Sequence, residues 1–155
     1  MTNGEGDRVF LDTNILIYAN VAEAPFHDAA LEVIRTSDQA GSSLWVSRQV
    51  LREYLAVLTR SGAFDRPIPK ETLIMQVRFF ADRFQVAEDT AHVTRHLLTL
   101  MEQFSIGGRQ VHDANIVATM QAYGIKQLFT HNKKDFDRFS SLISVLPLVK
   151  NGNES

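Results

Sequence analysis

Residues 8–20 read RVFLDTNILIYAN, and the architecture of the whole chain can be inferred from them. Val9, Phe10 and Leu11 form a short apolar run, which predicts a fully buried strand over Arg8–Leu11. The apolar residues after Asn14 predict a helix over residues 14–20. Asp12 therefore lies at the junction between a buried strand and a helix.

The rest of the chain continues this alternation of strands and helices. Strands are predicted at residues 44–46, 84–87, 126–130 and 142–146, and helices at 25–38, 48–60, 70–83, 90–104 and 113–123. Ser47 is the predicted N-cap of one helix, and either Asp89 or Thr90 that of another. The alternation favours a three-layer α/β/α sandwich with a mostly parallel central sheet, in a single domain over residues 8–149.

Composition is ordinary for a globular protein. Of the 155 residues, 45% are apolar and 22% are charged, and cysteine is absent, which excludes disulfides and thiolate metal sites. No apolar stretch approaches the roughly 20 residues needed to cross a bilayer, and no signal-peptide pattern is present. We expect a cytoplasmic protein with no membrane segment, with residues 1–7 and 150–155 as disordered tails.

The net charge of −2 indicates no general attraction to nucleic acid. The basic residues are nevertheless clustered, at Arg48, Arg52 and Arg60 and again at Lys133, Lys134 and Arg138. Basic groups near acidic ones could hold a phosphate backbone beside a metal site. From charge alone, solvated helix faces are the better explanation.

Four carboxylates lie where a simple α/β fold does not need them. They are Asp12, Glu53, Asp113 and Asp135, each at the end of a predicted strand or in the opening turns of a helix. In right-handed β-α-β units the helix N-termini meet the strand C-termini at one sheet edge, where open α/β sheets bind ligands. Four negative charges gathered there would repel, and a divalent cation would relieve the repulsion. The pattern predicts a metal-dependent hydrolase.

Simpler explanations exist for the first two acids. Asp12 could cap the helix that follows it, with Thr13 and Asn14 as turn residues instead of supporting groups. Glu53 could pair with a nearby arginine. It borders the apolar stripe of its helix, however, and a carboxylate there must be paired or metal-bound because isolated burial is costly.

The other two acids also have alternatives. Asp113 could simply interact favourably with the dipole at the start of its helix. Apolar residues at i+3, i+4 and i+7 place it on the buried side of that helix, however, which favours a functional role. Asp135 could be an exposed loop acid, and Asn132 and Asp137 are rivals for its role. Thr130, at the end of the preceding strand, could hydrogen-bond one of the carboxylates.

The histidines form no competing metal motif. His92 and His96 have i, i+4 spacing, but they lack the glutamate and the third ligand of a zinc protease. His112 and His131 lie beside two of the acids and could contact a substrate. Local hydrogen bonding is the preferred explanation for both.

Four segments in this order resemble the PIN-domain family. They are VFLDTN at residues 9–14, SRQVLRE at 47–53, VHDA at 111–114 and THNKKDF at 130–136. The resemblance runs from Val9 to about Pro147 and is greatest to the VapC-type toxin ribonucleases of bacterial toxin–antitoxin pairs.

The resemblance implies an endoribonuclease that depends on Mg²⁺ or Mn²⁺ and hydrolyses RNA phosphodiester bonds. Asp12, Glu53 and Asp113 match the three main acidic ligands of the family, and Asp135 matches the fourth, for which Asn132 is the alternative. It also implies a homodimer and a cognate antitoxin protein that blocks the site. Residues 61–69 and the helix after them are where substrate choice and partner contacts are expected.

Two rival functions remain compatible with parts of the sequence. A haloacid-dehalogenase-like phosphatase needs a second aspartate two residues after the first, and Asn14 occupies that place. The rival from another class is a non-catalytic PIN-like module that binds RNA or protein. Metal-dependent RNA cleavage, lost with a chelator, separates a nuclease from such a module.

Overall fold

A computed structural model describes residues 7–60, 62 and 66–148 of the chain. Apart from Asp7, the predicted tails lie outside these residues, as do residues 61 and 63–65 of the predicted loop. Among the helices placed by the structure, none combines the length and the apolar character that a membrane span requires.

Five strands form one parallel sheet in the order β3-β2-β1-β4-β5. They are β1 (Arg8–Leu11), β2 (Ser43–Ser47), β3 (Gln85–Ala87), β4 (Gln127–Phe129) and β5 (Ser144–Leu146). Every neighbouring pair is parallel, and Phe10 of the central strand faces Trp45 on one side and Leu128 on the other. The predicted parallel sheet is confirmed, and Val9, Phe10 and Leu11 of the central strand β1 are buried.

Within the described residues, seven α-helices connect and cover the strands. They are α1 (Thr13–Asn20), α2 (His27–Gln39), α3 (Arg48–Leu58), α4 (Lys70–Arg83), α5 (Ala91–Gln103), α6 (Gln110–Ala122) and α7 (Lys133–Phe136), and a 3-10 turn (Asp137–Phe139) follows α7. The strand order reverses between β1 and β4, so right-handed crossovers place the helices before and after β3 on opposite faces. The result is the predicted three-layer α/β/α sandwich, with a ligand crevice expected at the β1/β4 switch point.

The predicted helix caps agree with the structure. The Ser47 Oγ accepts a hydrogen bond from the backbone N–H of Val50 at 3.2 Å, which opens α3. The Thr90 Oγ1 accepts from Val93 N at 3.3 Å, so Thr90 and not Asp89 caps α5. These bonds set the direction in which α3 and α5 leave the sheet.

Two predicted helix starts were wrong by two or three residues. The second helix begins at His27, not at residue 25, because Phe26 adopts a left-handed φ of 66° that no helix accommodates. The helix predicted from residue 113 begins at Gln110, whose side chain accepts from Gly107 N at 3.1 Å after Gly108 turns the chain with a φ of 58°. Asp135, expected just beyond the strand at residues 126–130, lies in the short helix α7.

The buried apolar side chains of the described chain form one cluster around β1, α1, α3 and α6. Its members with almost no exposure include Phe10, Tyr54 and Phe136. A few polar residues are buried with them, among them Asp12, Gln49 and Thr130. Buried polar groups need partners, and the partners of these three lie at one edge of the sheet.

Candidate active site

The four predicted acids come together at the C-terminal edge of the sheet. Asp12 follows β1, Glu53 lies in α3 after β2, Asp113 in the first turn of α6, and Asp135 in α7 after β4. Glu53, Asp113 and Asp135 line one cleft of about 460 Å³. The charges of the other three acids all act on the Asp113 carboxyl, so Asp12 belongs to the same group.

Asp12 is held rigidly in a buried position. Its side chain is only 6% exposed. Its Oδ1 accepts a hydrogen bond from Thr13 N at 2.8 Å, and its Oδ2 accepts from the Thr130 Oγ1 at 2.7 Å and from the Asn14 Nδ2 at 3.3 Å. The cap predicted as the simpler explanation is therefore present, and it fixes the carboxylate in place without excluding a second role.

Burial determines the proton affinity of Asp12. Loss of solvent raises the pKa of the Asp12 carboxyl to about 6, and the charge of Glu53 adds to this, against the lowering effect of the bonds from Thr130, Thr13 and Asn14. Its surroundings therefore raise the free energy of the ionised form of Asp12, and a bound cation would lower it.

Thr130 joins Asp12 to the loop between β4 and α7. Besides donating to Asp12, its Oγ1 accepts from the Asn14 Nδ2 at 3.3 Å and from Asn132 N at 3.0 Å. The Asn14 Oδ1 accepts from His131 N at 3.0 Å. The predicted hydrogen bond of Thr130 to a carboxylate is confirmed, and Asn14 supports both sides of the β1/β4 crevice.

Glu53 is half-buried and has two polar partners. One of its carboxylate oxygens accepts from the Thr13 Oγ1 at 3.1 Å, and the other accepts from the Gln49 Nε2 at 3.3 Å. Within residues 7–60, 62 and 66–148 it forms no ion pair, so the arginine partner considered from the sequence is not found there. Its negative charge is left uncompensated.

Asp113 shows the strongest mutual repulsion. Burial, and after it the charges of Asp135, Asp12 and Glu53, raise the pKa of its carboxyl to about 6 against the lowering effect of His112. Asp135 is exposed at the outer side of the cleft. The site is therefore buried and constrained at Asp12 and open to solvent at Asp135.

The donor set fits a divalent cation of the Mg²⁺ type. Its oxygens are hard ligands, and none of the four carboxylates forms an ion pair with a side chain that the structure places. As oriented, however, no three acidic or histidine side chains of the described residues converge closely enough to surround one ion. Binding would therefore require the half-buried and exposed carboxylates, Glu53, Asp113 and Asp135, to rotate toward Asp12.

The cleft also carries groups that the sequence did not single out. Arg109 and Gln110 are these groups, and they line the cleft together with His112 and Asn132, which the sequence had indicated. Arg109 supplies a cation beside the acids, a position suited to a phosphate. Among the basic residues considered from the sequence, Arg48 pairs with Glu88 and Lys133 pairs with Asp137, each at 2.7 Å. The one available signal for Arg109 was its place between the Gly107-Gly108 turn and the acid-bearing helix.

The histidines fall into different environments. The ring of His131 packs against Tyr18 and Phe26, with ring centroids 5.5 and 4.4 Å apart, which favours local packing. The rings of His92 and His96 contact each other on α5, with their centroids 4.7 Å apart, and neither residue lines the cleft. His112 does line the cleft, so a substrate contact stays open for this histidine alone.

Comparison with known proteins adds to this geometry. The model of the PIN domain family matches residues 9–142. This chain belongs to the PIN domain family. The matched range includes Asp12, Glu53, Asp113 and Asp135.

Individual PIN domain relatives agree with this assignment. The chain is 29% identical over 132 residues to Ribonuclease VapC24 of Mycobacterium tuberculosis, covering 83% of this chain and 89% of that protein. Its fold is similar to VapBC2 from Rickettsia felis, solved bound to a DNA fragment from their promoter, with a TM-score of 0.70, 22% identity and coverage of 92% and 99%. A toxin–antitoxin complex from Klebsiella pneumoniae gives a TM-score of 0.63 at 18% identity, with the same coverages.

Proposed function

We propose that this PIN domain is a metal-dependent endoribonuclease and the toxin of a toxin–antitoxin pair, acting in the cytoplasm. The observation that carries the proposal is the gathering of Asp12, Glu53, Asp113 and Asp135 at the strand-end edge of the sheet, without cationic partners among the described residues. The similarity to a protein named as a ribonuclease supports RNA as the substrate.

The four carboxylates would hold Mg²⁺ or Mn²⁺. Hard oxygen donors and a surplus of negative charge suit these ions better than Zn²⁺. A bound ion of this kind lowers the pKa of an attacking water and stabilises the charge that develops on the phosphate. No protein nucleophile is required.

The chain's own side chains would orient the reactants. Thr13, Asn14 and Thr130 hold Asp12 in one rotamer, so this carboxylate is ordered before substrate arrives. Arg109 lies in the cleft with Asp113, where its guanidinium can bind a phosphate oxygen of the RNA backbone. The acids repel the backbone and Arg109 attracts it, which favours RNA bound with a phosphate over the cleft.

The partner would be an antitoxin protein that covers the cleft, and the active form would be a homodimer. The toxin–antitoxin complex that shares this fold supports a protein partner. Helix α4 lies in the segment where partner contacts are predicted. Two of its apolar residues, Met75 and Phe79, are 66% and 58% exposed to solvent. Apolar side chains of this size on a helix surface mark an interaction face.

The proposal is tested by incubating the purified chain with total bacterial RNA and mapping the new 5′ ends. We expect discrete cleavages with Mg²⁺ or Mn²⁺, none with EDTA, and none from Asp113→Asn at the same concentration. Asp82→Asn, on the exposed side of α4, is the matched charge control and should cleave like the wild type.

The rival module makes the opposite prediction. A non-catalytic binder would retain RNA in a filter assay in both metal and EDTA and would produce no new ends. Wild-type protein that binds RNA without cutting it in either metal would contradict the nuclease proposal.

A further inference from the structure

The buried amide of Gln49 touches both helices that carry the inner acids of the cleft. Gln49 opens α3 four residues before Glu53, and its side chain is 6% exposed. A buried glutamine must satisfy two N–H groups and a carbonyl oxygen. All three of these groups find hydrogen-bond partners beside the cleft.

The hydrogen bonds of Gln49 run in two directions. Its Nε2 donates to the Glu53 carboxylate at 3.3 Å and to the backbone oxygen of His112 at 2.9 Å. Its Oε1 accepts from the Asn115 Nδ2 at 2.9 Å. His112 and Asn115 flank Asp113 in α6, so one amide ties Glu53 of α3 to the helical turn that carries Asp113.

We propose that Gln49, oriented by Asn115, is a positioning residue that sets the separation of the Glu53 and Asp113 carboxylates and thereby the metal affinity of the site. This inference rests on the proposed function, because it assigns Gln49 a part in the same cation site. Gln49 acts only through Glu53 and α6 and does not touch the reacting atoms.

The chemistry of the side chain suits this role. A glutamate at position 49 would add a fifth negative charge to four that already repel, and it could donate to neither Glu53 nor His112. A lysine would neutralise Glu53 and compete with the metal for it. An amide is neutral, and its rigid plane fixes both donor directions at once, so it orients Glu53 without changing the charge of the cleft.

Asn115 makes the orientation of that amide unique. The Asn115 Nδ2 can donate only to the oxygen side of Gln49, which places the Gln49 Nε2 toward Glu53 and His112. The backbone oxygen of Asn115 in turn accepts from the Thr119 Oγ1 at 2.8 Å within α6. Asn115, which forms a hydrogen-bonded relay with Gln49, is thus held within α6 and moves together with Asp113.

The experiment measures Mn²⁺ affinity by the loss of the free-ion signal in electron paramagnetic resonance, together with cleavage kinetics on an RNA that the wild type cuts. Gln49→Met keeps the length of the side chain without its donors, and Asn115→Leu removes the orienting donor. Gln76→Met is the control, because it breaks the side-chain hydrogen bond between Tyr54 of α3 and α4 and does not line the cleft. Circular dichroism confirms that each variant is folded.

We expect Gln49→Met to bind Mn²⁺ about tenfold more weakly, as is typical when a group that orients a metal ligand is lost. Its kcat should fall, and half-maximal rate should need more Mg²⁺, while KM for RNA stays near the wild-type value. Asn115→Leu should show a smaller loss of the same kind, and the double variant should lose no more than Gln49→Met, because both changes break one relay. Gln76→Met should retain wild-type Mn²⁺ affinity.

Two results overturn the inference in distinguishable ways. Wild-type protein that binds Mn²⁺ and cuts RNA, with a folded Gln49→Met variant of equal Mn²⁺ affinity, reduces Gln49 to a packing residue and leaves the nuclease proposal intact. Wild-type protein that neither binds Mn²⁺ nor cuts RNA removes the proposed function and the positioning role together.

Discussion

The two sides of the cleft are built differently. On the β1 side, Asp12 is buried and receives hydrogen bonds from Thr13, Asn14 and Thr130. On the α7 side, Asp135 is exposed on a single helical turn. For the proposed cation site, this contrast predicts that the buried side would define where the ion binds and that the exposed side would adapt to it. Substitutions on the two sides should therefore differ in cost.

The largest effect is expected at Asp12. Asp12→Asn should lower cleavage by on the order of 10³-fold or more, because the central carboxylate contributes several kcal/mol of charge stabilisation through the ion it holds. The asparagine can still accept from Thr13 N, so the fold should survive. Single-turnover cleavage and circular dichroism of the purified variant check both points, and full activity of a folded Asp12→Asn protein would remove Asp12 from the site.

Thr130→Val is expected to have the next largest effect. It removes the donor to Asp12 and the acceptor shared by Asn14 and Asn132, and loss of such a supporting group typically costs about 10- to 100-fold in activity or metal affinity. The cleavage rates of Thr130→Val and the wild type are compared over a range of Mg²⁺ concentrations. Thr99→Val on α5, where the hydroxyl bonds only its own helix, is the control. Equal rates for Thr130→Val and wild type would show that the buried side needs no fixed geometry.

Asp135→Asn should cost about tenfold or less, since an exposed carboxylate contributes about 1.4 kcal/mol or less to a site screened by water. The matched substitutions are Asn132→Ala, at the alternative cleft position, and Asp137→Asn, whose carboxylate pairs with Lys133. Parallel rate measurements rank the three candidates for the fourth ligand. A loss at Asp135 as large as that at Asp12 would erase the difference between the two sides.

The smallest expected effect is that of Asp113 on the pH dependence of the free energy of unfolding. The folded pKa of Asp113 is about 6, above its ordinary value of 3.8, so the folded state binds this proton more tightly than the unfolded state does. The stability from this group is full below about pH 4 and is lost as pH rises through about 6. Asp113→Asn should therefore be more stable than wild type above pH 6 in EDTA, and the two should converge near pH 4.

The size of this gain is modest. A shift of two pKa units corresponds to about 3 kcal/mol, and solvent screening at a half-buried carboxyl reduces it to about 1 kcal/mol. Urea unfolding in EDTA across the pH range measures the difference. A wild-type protein that gains stability over Asp113→Asn between pH 4 and pH 7 would contradict the repulsion described for the cleft.

The sequence was sufficient to predict the parallel sheet and the edge at which the acids meet. The apolar run at residues 9–11 and the alternation after it permit few other architectures, and parallel strands with right-handed crossovers place acids such as Asp12 and Asp113 at one edge. Ser47 and Thr90 have side chains that cap helices by local hydrogen bonds, so those helix starts could be predicted as well.

Two helix starts and the contacts of Gln49 could not be predicted from the apolar pattern. The late start of α2 follows from the backbone conformation of Phe26, and the early start of α6 follows from a hydrogen bond between Gln110 and Gly107. Gln49 is adjacent in sequence to apolar residues of α3, and its role depends on His112 and Asn115, more than 60 residues away. No local pattern encodes such a meeting.

A crystal of the wild-type protein grown with Mn²⁺ tests the metal site most directly. We predict an anomalous difference peak in the cleft, about 2 Å from carboxylate oxygens of Asp12 and Asp113, with Glu53 and Asp135 turned toward it directly or through water. A well-ordered cleft with no such peak at millimolar Mn²⁺, or a peak elsewhere on the molecule only, would contradict a cation site at this edge of the sheet.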